Sequence, residues 1–199
     1  MDVKEITSPL RPDDIKDLCA GDMVSISGRI VTGRDRVHKY LAEGGEPPIN
    51  LEGLVIYHCG PIVIQENSVW KIVAAGPTTS MREEPFEADI ISRFKPGAIM
   101  GKGGMGEKTL KALSANGCVY FHATGGAAQY LAERIVQVEG VYLAEFGQPE
   151  AMWVLTVHNF PALVTMDSHG RSLHSNIEDG SSKRLKTLYE HSIKINCHT

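Results

Sequence analysis

The chain is poor in the materials for several kinds of protein. Its four cysteines, Cys19, Cys59, Cys118 and Cys197, are scattered with no close pair. That excludes a sequence-local zinc or iron–sulfur cradle and gives no disulfide framework, so reduced thiols in a cytosol are expected. No apolar run approaches the length of a membrane span, and no membrane partner is expected. The start, Met1 to Glu5, lacks the basic start and apolar run of a secretory signal, which points to a cytoplasmic protein. Positive charge is not in excess either. A formal net charge of -4 gives no global pull toward nucleic acid, so any anion site must be local. Internal repeats, low-complexity blocks and an obvious linker are also missing.

What remains is an ordinary globular composition, 42% hydrophobic and 22% charged over 199 residues, enough for one solid core. Residues 22–32 alternate apolar and polar and read as a half-buried strand. Arg34 to Glu43 reads as a helix that ends at Gly44-Gly45 ahead of Pro47-Pro48. Leu54–Tyr57 and Val69–Ala75 are two further strands, and residues 83–94 form a helix stopped by Lys95-Pro96-Gly97. A repeated unit follows: strand 98–100, glycine loop, helix 107–115, strand 117–123, glycine loop, helix 127–137. Such alternation predicts parallel strands with right-handed crossovers. Val141–Phe146, Met152–Val157 and Ala162–Met166 then read as strands with short links, suited to antiparallel or mixed pairing. The expected fold is a single α/β domain with a parallel or mixed central sheet, additional antiparallel strands and flanking helices. It spans residues 1–175, with a polar tail over 176–199 that carries a helix around Lys183–Ile193.

The richest segment is Gly101-Lys102-Gly103-Gly104-Met105-Gly106, where a strand hands over to a helix. Glycines let backbone approach a ligand closely, and a helix start offers unpaired N–H groups, so a lysine among four glycines suggests an anion site. A solvated lysine on a tight turn is the bland alternative. The loop also matches G-x-G-x-x-G, but Thr124-Gly125-Gly126 stands where a dinucleotide fold needs an acidic residue. It is not a Walker loop, because glycine follows the lysine. Upstream, Gly76-Pro77-Thr78-Thr79-Ser80-Met81-Arg82 is a hydroxyl-rich turn ending in a guanidinium, able to grip a carboxylate. Thr79 or Ser80 could equally cap the next helix, with Glu83 and Glu84 favouring its dipole. Arg34, Asp35, Arg36 and His38 form a third charged turn, which in isolation reads as a solvated face. His58, His122, His158, His169 and His174 lack the spacing of metal ligands on one element and read as strand-end or surface residues. Three cationic turns suggest a ligand with more than one carboxylate or phosphate.

Together these segments resemble the β subunit of the iron–sulfur-dependent class I fumarases and L(+)-tartrate dehydratases. The likeness is carried by Thr32-Gly33-Arg34-Asp35 with His38, Tyr57-His58-Cys59-Gly60-Pro61, the Gly76–Arg82 turn and Gly101–Met105. Thr124-Gly125-Gly126, Phe160-Pro161-Ala162 and Asp167-Ser168-His169-Gly170 extend it to about Leu173. The resemblance implies a swivelling β/β/α domain and half of an enzyme. A separate α subunit, or another domain of a fused chain, would hold a four-iron four-sulfur (4Fe-4S) cluster acting as a Lewis acid, and this chain would bind no cofactor. The implied reaction is reversible hydration of fumarate to L-malate, or dehydration of tartrate. In that family pattern Arg34, Arg82 and Lys102 correspond to dicarboxylate-binding cations, and Thr78 aligns with the proposed catalytic base. A threonine needs neighbouring cations or a base to act at neutral pH; Lys102 would supply that help or take the proton itself. The competing classes are a nucleotide-binding oxidoreductase and a non-catalytic interaction module. A chain isolated from its partner is expected to expose an apolar contact patch and to self-associate as a homodimer.

Overall fold

The computed structural model describes residues 2–67 and 69–196, so Cys197 lies outside the described residues. In chain order the elements are β1 (Val3–Ser8), α1 (Pro12–Lys16), β2 (Met23–Thr32), α2 (Asp35–Ala42), β3 (Val55–Tyr57), β4 (Ile62–Glu66) and β5 (Val69–Ala74). A 3-10 turn, Ser80–Glu83, leads into α3 (Glu84–Phe94) and β6 (Ala98–Gly101). Then come α4 (Glu107–Asn116), β7 (Val119–His122), α5 (Ala128–Ala132), β8 (Ile135–Tyr142), β9 (Met152–Met166) and α6 (Leu173–Asn196). No helix among the described residues is long and apolar enough to cross a membrane.

Seven strands form one mixed sheet in the order β1-β2-β3-β6-β7-β9-β8. The first five run parallel; at the other end β9 pairs antiparallel with β7, and β8 pairs antiparallel with β9. Strand β9 also pairs antiparallel with β2 along most of its length, so the sheet curls back on itself. Strands β4 and β5 make a separate hairpin. The strand period of two then sorts side chains into two cores. Val55, Tyr57, Ala98, Met100, Val119 and Phe121 face the inside of the curl. Ile56, Ile99 and Tyr120 face the other way, against Val37, Leu41, Ile90, Ile91 and Leu113 of α2, α3 and α4. Hairpin and curled strands, central sheet, and helices are thus the three layers of the expected β/β/α arrangement.

The sequence-based reading is right on the parallel units and errs in the last third. The helix expected over 127–137 stops at Ala132, because the β-branched Ile135-Val136-Gln137-Val138 run belongs to β8. The strand expected at Val141–Phe146 ends at Tyr142, with Leu143 in the left-handed region (φ 56°). The two strands expected at Met152–Val157 and Ala162–Met166 are one 15-residue strand. Asn159 (φ 52°) and Pro161 have the local character of a break. The chain instead absorbs an extra residue in a bulge opposite Ile26 and Gly28 and continues pairing. Strands β1 and β4 and helix α1 are additional. The tail helix is part of α6, which starts earlier, at Leu173.

Candidate active site

The parallel strands place their C-terminal ends along one edge of the sheet. Arg34 follows β2, His58 and Cys59 follow β3, Lys102 follows β6 and Thr124-Gly125-Gly126 follow β7. In open α/β sheets that edge is where ligands bind. The loops are stitched together by backbone. Thr78 N–H donates to the His58 carbonyl at 2.6 Å, Lys102 N–H to the Thr78 carbonyl at 3.1 Å, and Ser80 N–H to the Lys102 carbonyl at 2.9 Å. Thr78 and Lys102, distant in sequence, are therefore neighbours.

Each cation has a distinct setting. Arg34 reaches Glu150 (3.3 Å) and lies over Gly60, where a Cβ would fall only 2.5 Å from its Nη1. Arg82, about half exposed, pairs with Asp35, the residue beside Arg34. Both arginines are thus held by internal carboxylates and brought to the same corner. Lys102 makes no ion pair among the described residues; its stem runs over Gly125, whose Cβ would lie 3.5 Å from Lys102 Cδ. Thr124, Gly125 and Gly126 are exposed beside it, and Thr78 is half-buried. Two cavities of about 410 and 390 Å³ lie elsewhere, one under Trp70 and α5, the other around Leu10 and Lys95.

The glycine loop works differently from the sequence-based expectation. Two of the N–H groups at the start of α4 are already engaged: the Glu84 carboxylate accepts the Gly106 N–H (2.7 Å), the Thr109 N–H (3.3 Å) and the Thr109 hydroxyl (2.7 Å). An internal carboxylate already fills the anion position at that helix N-terminus. A pyrophosphate at that position would have to displace this carboxylate. Gly103 and Gly104 sit at φ 82° and 74°, and a Cβ at Gly101 would overlap the Ser80 hydroxyl. The glycines shape the loop around Lys102.

Beneath the edge lies a charged cluster that local sequence patterns do not reveal. His38, His58, Ser80, Glu83 and Glu87 are buried. Both imidazole Nε2 atoms approach the same Glu87 oxygen, at 3.1 Å from His38 and 3.0 Å from His58. His38 Nδ1 is 3.0 Å from the Arg34 carbonyl, and His58 Nδ1 is 2.9 Å from Ser80 Oγ, which also accepts from Tyr120 at 2.8 Å. Burial pushes the His38 imidazolium down, and Glu87 and Glu83 more than reverse that, holding it at about 9. Burial pushes the Glu87 carboxyl up, and the two imidazoles overcome it, leaving it at about 2. For His58 burial prevails and the pKa falls, so this ring stays neutral. His38 and His58, read from sequence as solvated or surface residues, are core residues. The available signal is Glu83 and Glu87 in register with Ile90 and Ile91, carboxylates on the buried face of an amphipathic helix.

His38, His58 and Glu87 also form a donor set of metal-ligand type, their atoms within 4.8 Å of one another. An iron–sulfur cluster does not fit the described cysteines. Cys19, Cys59 and Cys118 come from separate segments. Burial pushes the Cys59 thiol up to about 12 and raises Cys118 as well. Asp167, in the last recognised motif, is structural: it accepts from the backbone of Ala20, His169 and Arg171.

Comparison with known proteins gives concordant matches. The model of the fumarase C-terminus family matches residues 2–177. A provisionally named fumarate hydratase class I of Geobacillus stearothermophilus is 54% identical over 186 residues, covering 93% of this chain but 36% of that protein. A provisionally named L(+)-tartrate dehydratase subunit β of Methanocaldococcus jannaschii is 40% identical over 185 residues, 90% of this chain and 95% of that one. The L(+)-tartrate dehydratase subunit β of Escherichia coli K12 is 38% identical over 177 residues, 85% and 86% of the two chains.

Proposed function

The chain belongs to the fumarase C-terminus family, and we propose that it is the β-type part of a hydro-lyase acting on a four-carbon dicarboxylate, with fumarate and L-malate as its substrate pair. The observation that carries this reading is the gathering of Arg34, Thr78, Arg82 and Lys102 at one open strand-end edge. The relatives named as β subunits support a partner α subunit. The chain spans about a third of the fumarate hydratase relative, which leaves room there for the partner's equivalent. L(+)-Tartrate is the second reading, favoured by the names of the two subunit relatives.

Dehydration of L-malate needs a base for the carbon-bound proton, help for the departing hydroxyl and stabilisation of the negative charge that builds on the adjacent carboxylate. Arg34 and Arg82 grip the two carboxylates; each exchanges an internal carboxylate, Glu150 or Asp35, for a substrate one. Lys102, with no competing ion pair among the described residues, meets the charge that develops in the transition state. In this reading Thr78, one backbone hydrogen bond from Lys102, takes the proton as an alkoxide, its own hydroxyl proton having first passed to solvent while the Lys102 ammonium lowers the cost of the negative charge. The 4Fe-4S cluster belongs on the α subunit in this reading, since this chain's described thiols do not suit it.

The test is anaerobic turnover of fumarate and L-tartrate by this chain assembled with its cluster-bearing partner. Lys102→Ala and Arg82→Ala are expected to lose turnover by about 100- to 1000-fold with folding unchanged. Near-native activity in either variant would defeat the assignment.

A further inference from the structure

The buried cluster beneath the edge has no part in the chemistry just described. Ser80, His58 and Glu87 stand in a row like a hydrolytic triad. Ser80 is fully buried, however, and packed so closely on Gly101 that no acyl group could reach it. What the cluster does touch is the backbone that carries the site. His38 meets the Arg34 carbonyl; His58 meets the Ser80 hydroxyl with its ring and the Thr78 N–H with its carbonyl. Glu87 is the group both rings share.

We propose that Glu87 is a positioning residue of this site, fixing the Arg34 backbone through His38 and the Thr78–Ser80 turn through His58. The inference deepens the hydro-lyase reading and rests on Arg34 and Thr78 meeting the substrate. Its physical basis is that a carboxylate this deeply buried must be paired. Glu87 meets the charged His38 ring at 3.1 Å and the polar Nε2 edge of the neutral His58 ring at 3.0 Å through the same oxygen, so one carboxylate reaches both loops at once. Loss of that charge frees the two loops from a common anchor. A shift of about 1 Å between Arg34 and Thr78 is enough to cost about 100-fold in rate.

The groups around His38 make its charge the controllable one. From the α3 segment it faces Glu83 and Glu87, and from the end of β3 it faces His58. Cys118 and Tyr120 of the β7 segment look onto Glu87 and are kept neutral by burial. Glu83 in turn sees Arg82 and Glu150. Between neutrality and the alkaline range, His38 is the member of the cluster that changes charge, losing its proton as pH rises through about 9.

The decisive variant is Glu87→Gln, equal in size and uncharged, in the full chain assembled with its partner. Expected are a loss of about 100-fold in kcat/KM for fumarate and an alkaline limb displaced from about 9 toward the ordinary imidazole value of 6.5. Glu87→Asp, which keeps the charge, is expected to recover part of the activity and the original limb. Ring NMR of the chain without its partner reads the His38 titration directly and independently of turnover. A complex inactive on either diacid would sink the hydro-lyase reading, and the ring titration would still decide whether His38 is held charged by Glu87. The proposal is overturned by a folded Glu87→Gln enzyme with unchanged kcat/KM and pH profile, or by one that loses only thermal stability. It is equally overturned by a wild-type His38 that titrates at or below 6.5, or by a stoichiometric metal ion retained on the three side chains. If Glu87→Gln does not fold, the wild-type titration decides.

Discussion

Arg34 and His38 lie one helical turn apart at the start of α2 and end in opposite surroundings. Arg34 stays at the edge, 22% exposed and loosely paired with Glu150, while His38 is 1% exposed and clasped by two carboxylates. The same contrast runs through the second turn, where Arg82 is half out in solvent and Glu83 and Glu87 are buried. The upper face holds its arginines in partly exposed pairs with Glu150 and Asp35, which in the proposed reading a substrate replaces. The lower face holds the loops with charges that nothing from outside can reach. Binding and fixity are thus assigned to two sides of the same few residues.

The contrast can be broken from above. Lys102→Ala should abolish most turnover, by about 1000-fold, while the thermal unfolding midpoint stays within error of the parent. A variant that loses activity only because it unfolds would erase the distinction. It can be broken from below with Glu87→Ala, which removes the carboxylate that two buried imidazoles share and leaves His38 only the more distant Glu83. Removing one member of a buried pair costs about 3–5 kcal/mol of stability, measurable by denaturant unfolding. A cost under about 1 kcal/mol would place the cluster with ordinary surface pairs.

Gly101→Ala probes where the two faces touch, because the added methyl would overlap the Ser80 hydroxyl. Overpacking of this kind costs about 1–3 kcal/mol, and here it should also lower kcat, since Lys102 is the next residue. The mildest probe is pH. His38 has a folded pKa raised from 6.5 to about 9, so its contribution is complete below 6.5 and is lost as pH rises through about 9. Glu87 is depressed from 4.5 to about 2, so its contribution is present above 4.5 and lost as pH falls through about 2. Thermal scans should show a decline on the alkaline side that is absent in His38→Gln. An identical decline in both proteins would assign it to other groups.

The upper face is legible in the sequence because its signals are local. Glycine, threonine, lysine and arginine crowded into short turns between strand and helix patterns announce themselves without any knowledge of the fold. Parallel strands β3, β6 and β7 are legible for the same reason, each a short apolar run before a glycine-rich loop. The lower face depends on pairings no window contains: Glu87 needs His38 and His58, which arrive from two other segments. Glu84 misleads in a similar way. Its place beside Glu83 suggests service to its own helix, and the fold turns it onto α4. Strand β9 is misread because Asn159 and Pro161 carry the local marks of a break, whereas long pairing with β2 carries the strand through.

The most direct test of the central claim, that this chain supplies one half of a shared dicarboxylate site, is fumarate hydration under anaerobic conditions by the chain alone and by the chain with its cluster-bearing partner. The account predicts no turnover from the chain alone, turnover from the assembly, and its loss in an assembly built with Lys102→Ala. Turnover by the isolated chain, or an assembly with its cluster in place that neither hydrates fumarate nor acts on L-tartrate, would contradict it.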